Sequence, residues 1–421
     1  MEYLATKVVC VVSPGMYMAI CERLARDFKT VYYHNPFYRT TFPKFTDNAI
    51  GEGLLETEGV TKINNFWDYI DEIDLFVFPD CGFADWSDYL KSIGKRVWAS
   101  GKADQLELER TETLEYLKEL GLEVPKYTEV RGLTNLRKYL KAHEDVYVKT
   151  NVFRGSFETF HSLNYDLIVP VLDKLEAELS FVKDEMEFSV FTPITGIEVG
   201  FDGYSVAGKY PSNVVYGIEI KDCGWIGHVK PVGKIFKPVI ELMDKISPTL
   251  KLNGYANFMS TEMRCDKTGC YLTDFCMRFP SPVSEVYYEL ISNFSEIIWH
   301  GGNNEFIEPI YAAEYGMTLT ITSDWSRENG QCILFPKEIA KNVKLRNYTV
   351  VDGVYYIIPN LIDKDDCIGC VVSIGKSLED CAEKINKYAS QIKGHRVTVS
   401  CAVISDMEKE IEKGKKLGAI F

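Results

Sequence analysis

The sequence predicts a multidomain chain of mixed α/β and α+β class that opens with a small parallel sheet. Three observations carry this. At 421 residues the chain is too long for one ordinary core and suggests two to four domains. Short apolar runs alternate with helical patterns from the start to about residue 100, as α/β units do. Between Leu252 and Phe279 the pattern changes to two strand-like runs joined by a tight turn.

The first unit begins with KVVCVV (7–12), followed by Ser13-Pro14-Gly15 and the helical pattern MAICERLARDF. Strands KTVYYHN (29–35), DLFVFPD (74–80) and KRVWAS (95–100) follow, with the helix SDYLKSIG between the last two. In such sheets ligands favour the carboxyl ends of the strands, which here carry Pro14-Gly15 and Asp80-Cys81-Gly82. The glycine fingerprint GxGxxG is absent, so a nicotinamide cofactor is not expected.

An amphipathic helix is predicted over 102–121, closed by Gly121, and a second over 133–145. The strand VYVKT (146–150) puts Lys149 on the face of Tyr147, away from Val146 and Val148. Arg154, Gly155 and Ser156 follow in a short loop. A strand lysine beside such a loop suits polyphosphate, although a lysine at a sheet edge also serves simply to stay solvated. An acidic helix over 164–184 leads to the strand EFSVFTPITG. Glu198 then lies in an apolar strand, where a ribose diol or a neighbouring lysine would each satisfy it. Asp202-Gly203 reads as a hairpin turn, and KIFKPVIELMDKI as a helix of about a dozen residues.

In the hairpin, strands of roughly Tyr255–Arg264 and Cys270–Phe279 flank the turn Asp266-Lys267-Thr268-Gly269. Asp274, Cys276 and Arg278 share a face, and Glu262 falls opposite Asp274 to within about one residue. Facing carboxylates repel, and a hard cation such as Mg²⁺ removes that repulsion. A solvated face with Arg264 and Arg278 as partners is the alternative. Arg278 suits a phosphate or carboxylate oxygen.

Hydrophobic content of 46% and charged content of 26% are those of a globular protein, and no 18-residue apolar run occurs to span a membrane. The start, MEYLATKVVCVVSPG, lacks the features of a signal peptide, so a cytoplasmic location is expected. A net charge of −14 argues against duplex nucleic acid as a partner but not against a small anion in a local basic pocket. The twelve cysteines are expected to be buried small hydrophobes rather than disulfides. Cys367-x-x-Cys370 has no second pair at zinc-site spacing. Oligomeric state is not legible.

The order of parts resembles the ATP-grasp superfamily over nearly the whole chain. Within it the sequence is most similar to phosphoribosylamine–glycine ligases and their phage-encoded relatives, which would place it in a host cytoplasm. The tail, with GMTLTIT, GCVVSIGKSLEDCAEKINKYASQI and KLGAI in sequence, resembles that ligase's C-terminal domain. The resemblance implies a pre-ATP-grasp domain (1–102), an ATP-grasp domain (103–315, lobes about 103–188 and 189–315) and a C-terminal ligase-like domain (316–421). It implies ATP with Mg²⁺, or alternatively Mn²⁺, and small-molecule carboxylate and amine substrates.

Carried over by position, Lys149 and Arg110 would hold phosphates, and Arg154-Gly155-Ser156 would close over them. Thr192-Pro193-Ile194 would read adenine through its backbone, and Glu198 would hold ribose hydroxyls. Glu262 and Asp274 match the two metal acids. Asp274-Phe275-Cys276-Met277-Arg278-Phe279 overlays the signature Glu-Phe-Asn-x-Arg-Phe, so Cys276 stands at its third metal position, where asparagine is usual. A neutral thiol is a poor Mg²⁺ ligand. Catalysis is expected from Arg278, with Lys221 either on the acceptor side or solvated. The implied activity is an ATP-dependent carboxylate–amine ligase with an altered substrate site; the alternative is a degenerate nucleotide-binding protein.

Overall fold

Five parallel strands open the chain in the computed structural model, which describes residues 2–36, 49–151, 159–267, 269–359 and 366–419. They are β1 (Val8–Val12), β2 (Thr30–His34), β3 (Val60–Lys62), β4 (Leu75–Val77) and β5 (Arg96–Trp98), in the order β3-β2-β1-β4-β5. Both faces of β1 are covered, which is why KVVCVV is apolar throughout rather than alternating. Val9 and Val11 join Met18, Ile20 and Leu24 of helix α1 (Met18–Ala25). Cys10 and Val12 join Phe66, Phe76 and Leu90 on the other side. The short helix α2 (Leu54–Glu58) and strand β3 carry no clear periodicity, and sequence reading did not find them.

The chain divides into two compact units. The first comprises Met1–Asp104, Val199–Thr261 and Cys276–Phe421, and the second Gln105–Glu198 and Glu262–Phe275. Helix α3 (Ala84–Ser92) belongs to the first. In the second, the helix expected over 102–121 is interrupted: α4 (Gln105–Leu108) ends before Glu109, and α5 (Arg110–Glu119) starts afresh. The Glu109 backbone is non-helical at φ −109° and ψ 76°, so Arg110 opens the new helix. Its backbone N–H, an orphan at a helix start, donates to Asn151 Oδ1 at 3.1 Å.

Strands β6 (Tyr127–Arg131), β7 (Val146–Thr150), β8 (Thr159–Ser162) and β9 (Glu187–Phe191) form an antiparallel sheet ordered β6-β9-β7-β8. Two helices cover it, α6 (Leu133–Ala142) and α7 (Tyr165–Leu179). Leu133, Leu136 and Leu140 of α6, and Ile168, Leu172, Leu175 and Leu179 of α7, repeat at helical spacing and are all buried. Asn164 caps α7, its side chain accepting from Leu167 N at 3.0 Å. Val146 and Val148 point into this core while Tyr147 is exposed and Lys149 half-buried, as the alternation of VYVKT requires.

After the short strand β10 (Ile197–Val199), the chain returns to the first unit in β11 (Asp202–Val206), β12 (Asn213–Ile220) and β13 (Gly224–Pro231). Asp202-Gly203 is therefore not a turn. Asp202 accepts from the Trp225 indole N–H at 3.2 Å, and Gly203 pairs with Met259 across the ladder. A Cβ on Gly203 would lie 2.8 Å from the Phe201 ring, so the glycine serves close packing. Helix α8 (Lys237–Leu252) runs six residues past its expected end at Ile246. It leads into the hairpin β14 (Ala256–Cys265) and β15 (Cys270–Cys276).

Residues 256–260 of β14 pair with β11. From there the first unit's sheet continues through β12, β13, β16 (Tyr315–Thr322), β21 (Cys367–Gly375) and β18 (Val343–Leu345). A separate three-stranded sheet contains β17 (Gln331–Ile333), β19 (Tyr348–Val351) and β20 (Val354–Ile357), and β22 (Thr398–Val399) pairs with β16. Helices α9 (Ser284–Leu290), α10 (Phe294–Gly301), α11 (Leu378–Ala389) and α12 (Ile404–Lys416) complete the chain. Among the described residues, no helix is long and apolar enough to cross a membrane.

One buried amide ties β5 to β14. Asn257 accepts from Trp98 Nε1 and Phe258 N, both at 2.9 Å, and donates to Phe78 O at 3.2 Å and Ser100 Oγ at 2.9 Å. All of its hydrogen-bonding capacity is used, which fixes where the hairpin leaves the first unit.

Candidate active site

In the second unit, two cations converge on one carboxylate. Lys149 Nζ lies 3.1 Å from Asp274 Oδ2 and donates to Thr273 O at 2.7 Å. Arg110 Nη2 lies 3.3 Å from the same Asp274 oxygen. The cationic side chains are only 9% and 14% exposed, so their charges are weakly screened and need a counter-ion. The supporting elements explain the geometry. Arg110 projects from the first turn of α5, pinned by Asn151, while Lys149 sits opposite Ser189 in the β7–β9 ladder. Leu106, Thr113, Leu114 and Phe191 wall a cavity of ≈ 30 Å³ at this point, about the room of one water.

The far end of the hairpin is closed by a disulfide between Cys265 and Cys270, contrary to the expectation that the cysteines are simply buried hydrophobes. Cys265 and Cys270 flank a tight turn in which Asp266 N donates to Gly269 O at 3.0 Å, so their side chains meet across the ladder. Counting back along both strands from this pair brings Glu262 opposite Thr273, one place from the register expected. Thr273 Oγ1 donates to Glu262 O at 3.0 Å. Asp274 is thus neutralised by Arg110 and Lys149. Glu198 pairs with Arg264 at 2.6 Å, an arginine rather than the lysine weighed as its neighbour. Thr192 and Pro193 are exposed and Ile194 half-buried in the segment after β9. Arg154, Gly155 and Ser156 lie outside the described residues.

A second cluster belongs to the first unit. Strand β15 ends at Cys276, so Arg278 does not share a strand face with Asp274 as the sequence suggested. Met277 O accepts instead from Ser100 Oγ and Tyr255 OH, which takes it out of the ladder before Pro280. Phe279 N donates to Pro79 O at 2.9 Å, which lays this segment along the loop after β4. Arg278 Nη1 then meets Asp80 Oδ1 at 2.9 Å and Tyr17 OH at 3.1 Å. Of the strand-end positions flagged from the α/β pattern, Arg278 arrives at Asp80, with Tyr17 standing two residues after Gly15. Beside it, Ser281 donates to Glu285 at 2.7 Å, and Arg346 reaches Ser281 and Glu285. Tyr17, Glu285 and Arg346 were not found from sequence. Arg346 stands in no motif, and only its burial at 9% exposure would have marked it. Cys276 Sγ lies 3.6 Å from Arg278 O, and Lys221 is exposed in the β12–β13 turn.

No family model matches the chain, and no curated protein matches it in sequence. Solved structures do match. Phosphoribosylamine–glycine ligase from Thermotoga maritima has a TM-score of 0.70 at 15% identity, over 94% of this chain and 99% of that one. A second match is the biotin carboxylase domain of Hydrogenobacter thermophilus 2-oxoglutarate carboxylase, solved with MgADP, ADP and bicarbonate. It scores 0.63 at 12% identity, over 98% of this chain and 96% of that one. N5-carboxyaminoimidazole synthetase from Staphylococcus aureus scores 0.55 at 11%, over 93% and 100%. At these identities the likeness is one of fold, and the fold implied by the ATP-grasp resemblance is the one the chain adopts.

Proposed function

We propose that the protein is an ATP-dependent ligase that joins a carboxylate to an amine through an acyl phosphate. The observation that carries the reading is the convergence of Arg110 and Lys149 on one Asp274 oxygen, in a fold matched by phosphoribosylamine–glycine ligase. Two weakly exposed cations held by an exchangeable carboxylate form a site that a polyphosphate can take over. Functionally we divide the chain as 1–102, 103–315 and 316–421, and we place its work in the cytoplasm.

The donor set fits a hard divalent cation in part. Glu262 and Asp274 offer carboxylate oxygens, as Mg²⁺ or Mn²⁺ prefers, whereas the Cys276 thiol does not. When bound, the metal neutralises phosphate oxygens. Lys149 and Arg110 bind and orient the phosphates, exchanging Asp274 for them. Glu198 exchanges Arg264 for ribose hydroxyls, and Thr192-Pro193-Ile194 presents backbone to adenine. Arg278, held by Asp80 and Tyr17, orients the substrate carboxylate as it attacks the γ-phosphorus of ATP, breaking the bond to the β–γ bridging oxygen and releasing ADP. The amine then displaces phosphate from the acyl carbon, with Lys221 on the acceptor side.

A second reading, nucleotide binding without ligation, is favoured by Cys276 at the third metal position. A thermal-shift titration with ATP and Mg²⁺, followed by phosphate release with mixed carboxylates and amines, separates the two. Stabilisation with release supports the ligase. Stabilisation without release under any mixture supports the binding protein, and no stabilisation refutes both.

A further inference from the structure

A second cavity, of ≈ 630 Å³, lies wholly within the first unit, among α1, α2, β20 and the segment 333–341. Its floor has a charge imbalance. Glu22 of α1 accepts from Tyr348 OH, and Glu58 at the end of α2 accepts from Tyr355 OH at 2.6 Å. Among the described residues neither carboxylate forms an ion pair. The nearby cations are already used: Arg26 Nη2 and Lys344 Nζ both bind Glu289, at 2.8 and 2.7 Å. On the walls stand Glu56 and Glu338 together with Lys337 and Lys341. Along the lining, Glu22, Glu56, Glu58 and Glu338 face Arg26, Lys337 and Lys341, which leaves one negative charge over.

The remaining surface of the cavity is apolar. Ile333, Phe335, Ala340 and Val354 line it, and the Phe335 ring lies 5.2 Å from that of Tyr355, centroid to centroid. Carboxylates beside aromatic faces suit an ammonium group, which donates hydrogen bonds to oxygens and gains cation–π attraction from rings. A hard metal ion would want more oxygens than Glu22 and Glu58 supply, each already accepting from a tyrosine hydroxyl.

We propose that this cavity is a second binding site, for a compact primary amine with an apolar body, whose ammonium pairs with Glu22 and Glu58. The amine supplies the missing positive charge, and its body covers Phe335, Val354 and Ile333. Without a ligand a proton does the same service. Burial, and then repulsion from Glu58 and Glu289, push the Glu22 carboxyl up to about 8, against the pull of Lys344 and Arg26. Amine binding at neutral pH therefore releases a proton, and affinity rises between pH 6 and 8.

The test is calorimetric titration of the full-length protein with 2-phenylethylamine, and with 2-phenylethanol as its uncharged isostere. The amine is expected to bind at least tenfold more tightly than the alcohol. In two buffers of different ionisation enthalpy it should release up to one proton at pH 7. Glu58→Gln and Glu22→Gln, near-isosteric changes, should each weaken the amine at least tenfold while leaving the thermal shift by ATP and Mg²⁺ unchanged. Arg278→Ala should leave amine binding intact, which separates this cavity from an amine-substrate site. Equal binding of alcohol and amine overturns the proposal. So does undiminished amine binding in both Gln variants, loss of binding in Arg278→Ala alone, or no binding up to millimolar concentration.

Discussion

Replacing Asp274 by alanine removes the carboxylate that Arg110 and Lys149 share. The carboxylate contributes contacts of 3.3 and 3.1 Å to side chains 9% and 14% exposed, while Asp274 itself is 24% exposed. Fully buried pairs cost about 3–5 kcal/mol to break by removing one partner. The partial exposure here allows water to solvate the freed cations, and we expect about 2 kcal/mol. In urea melts of the metal-free, nucleotide-free protein this should lower the stability of the second unit with little change in the denaturant slope. ATP added without metal should restore more stability to Asp274→Ala than to the parent, because its phosphates no longer compete with Asp274. A variant as stable as the parent, or one that ATP does not stabilise, would refute the exchange of carboxylate for phosphate.

Three further outcomes follow from the structure. Because burial and Glu58 raise the folded-state Glu22 carboxyl from 4.5 to about 8, the native state holds one proton more than the unfolded chain between those values. Stability from this group is fully present at acid pH and falls by about 1.4 kcal/mol per pH unit through that window. Glu22→Gln should remove that slope in pH-dependent melts, and an unchanged slope would contradict the assignment. Asn257→Leu breaks four buried hydrogen bonds. It should cost about 3 kcal/mol, read as a lowered melting temperature, whereas a loss under 1 kcal/mol would show that the amide does not anchor the hairpin. Thiol titration of the unfolded, unreduced protein should count ten free cysteines, rising to twelve after a dithiol reductant. Twelve from the outset would exclude the Cys265–Cys270 bond.

The parts of the fold that were legible are those where one periodicity dominates. VYVKT alternates cleanly, and its side chains alternate in the sheet. Leu133, Leu136 and Leu140 repeat at helical spacing, and all three are buried. The strand-end rule pointed to Asp80, where Arg278 arrives, and to Pro14-Gly15, just before Tyr17. Illegible parts depended on distant partners. Asp202-Gly203 looks like a turn until Trp225 supplies a donor and Phe201 fills the space a side chain would occupy. Arg278 looks like a strand residue until Ser100 and Tyr255 take Met277 O. The Cys265–Cys270 bond needed the hairpin register, which sequence left open by one place. Tyr17, Glu285 and Arg346 come from three separate stretches that only the fold brings into one cluster.

Arg110, Lys149 and Arg278 are proposed to serve one ATP-dependent ligation. This shared role is tested most directly by phosphate release from ATP with mixed carboxylates and amines, comparing the parent with Lys149→Ala and Arg278→Ala. The account predicts substrate-dependent release by the parent, weakened ATP stabilisation in Lys149→Ala, and intact ATP stabilisation without release in Arg278→Ala. Undiminished release in either variant would contradict it.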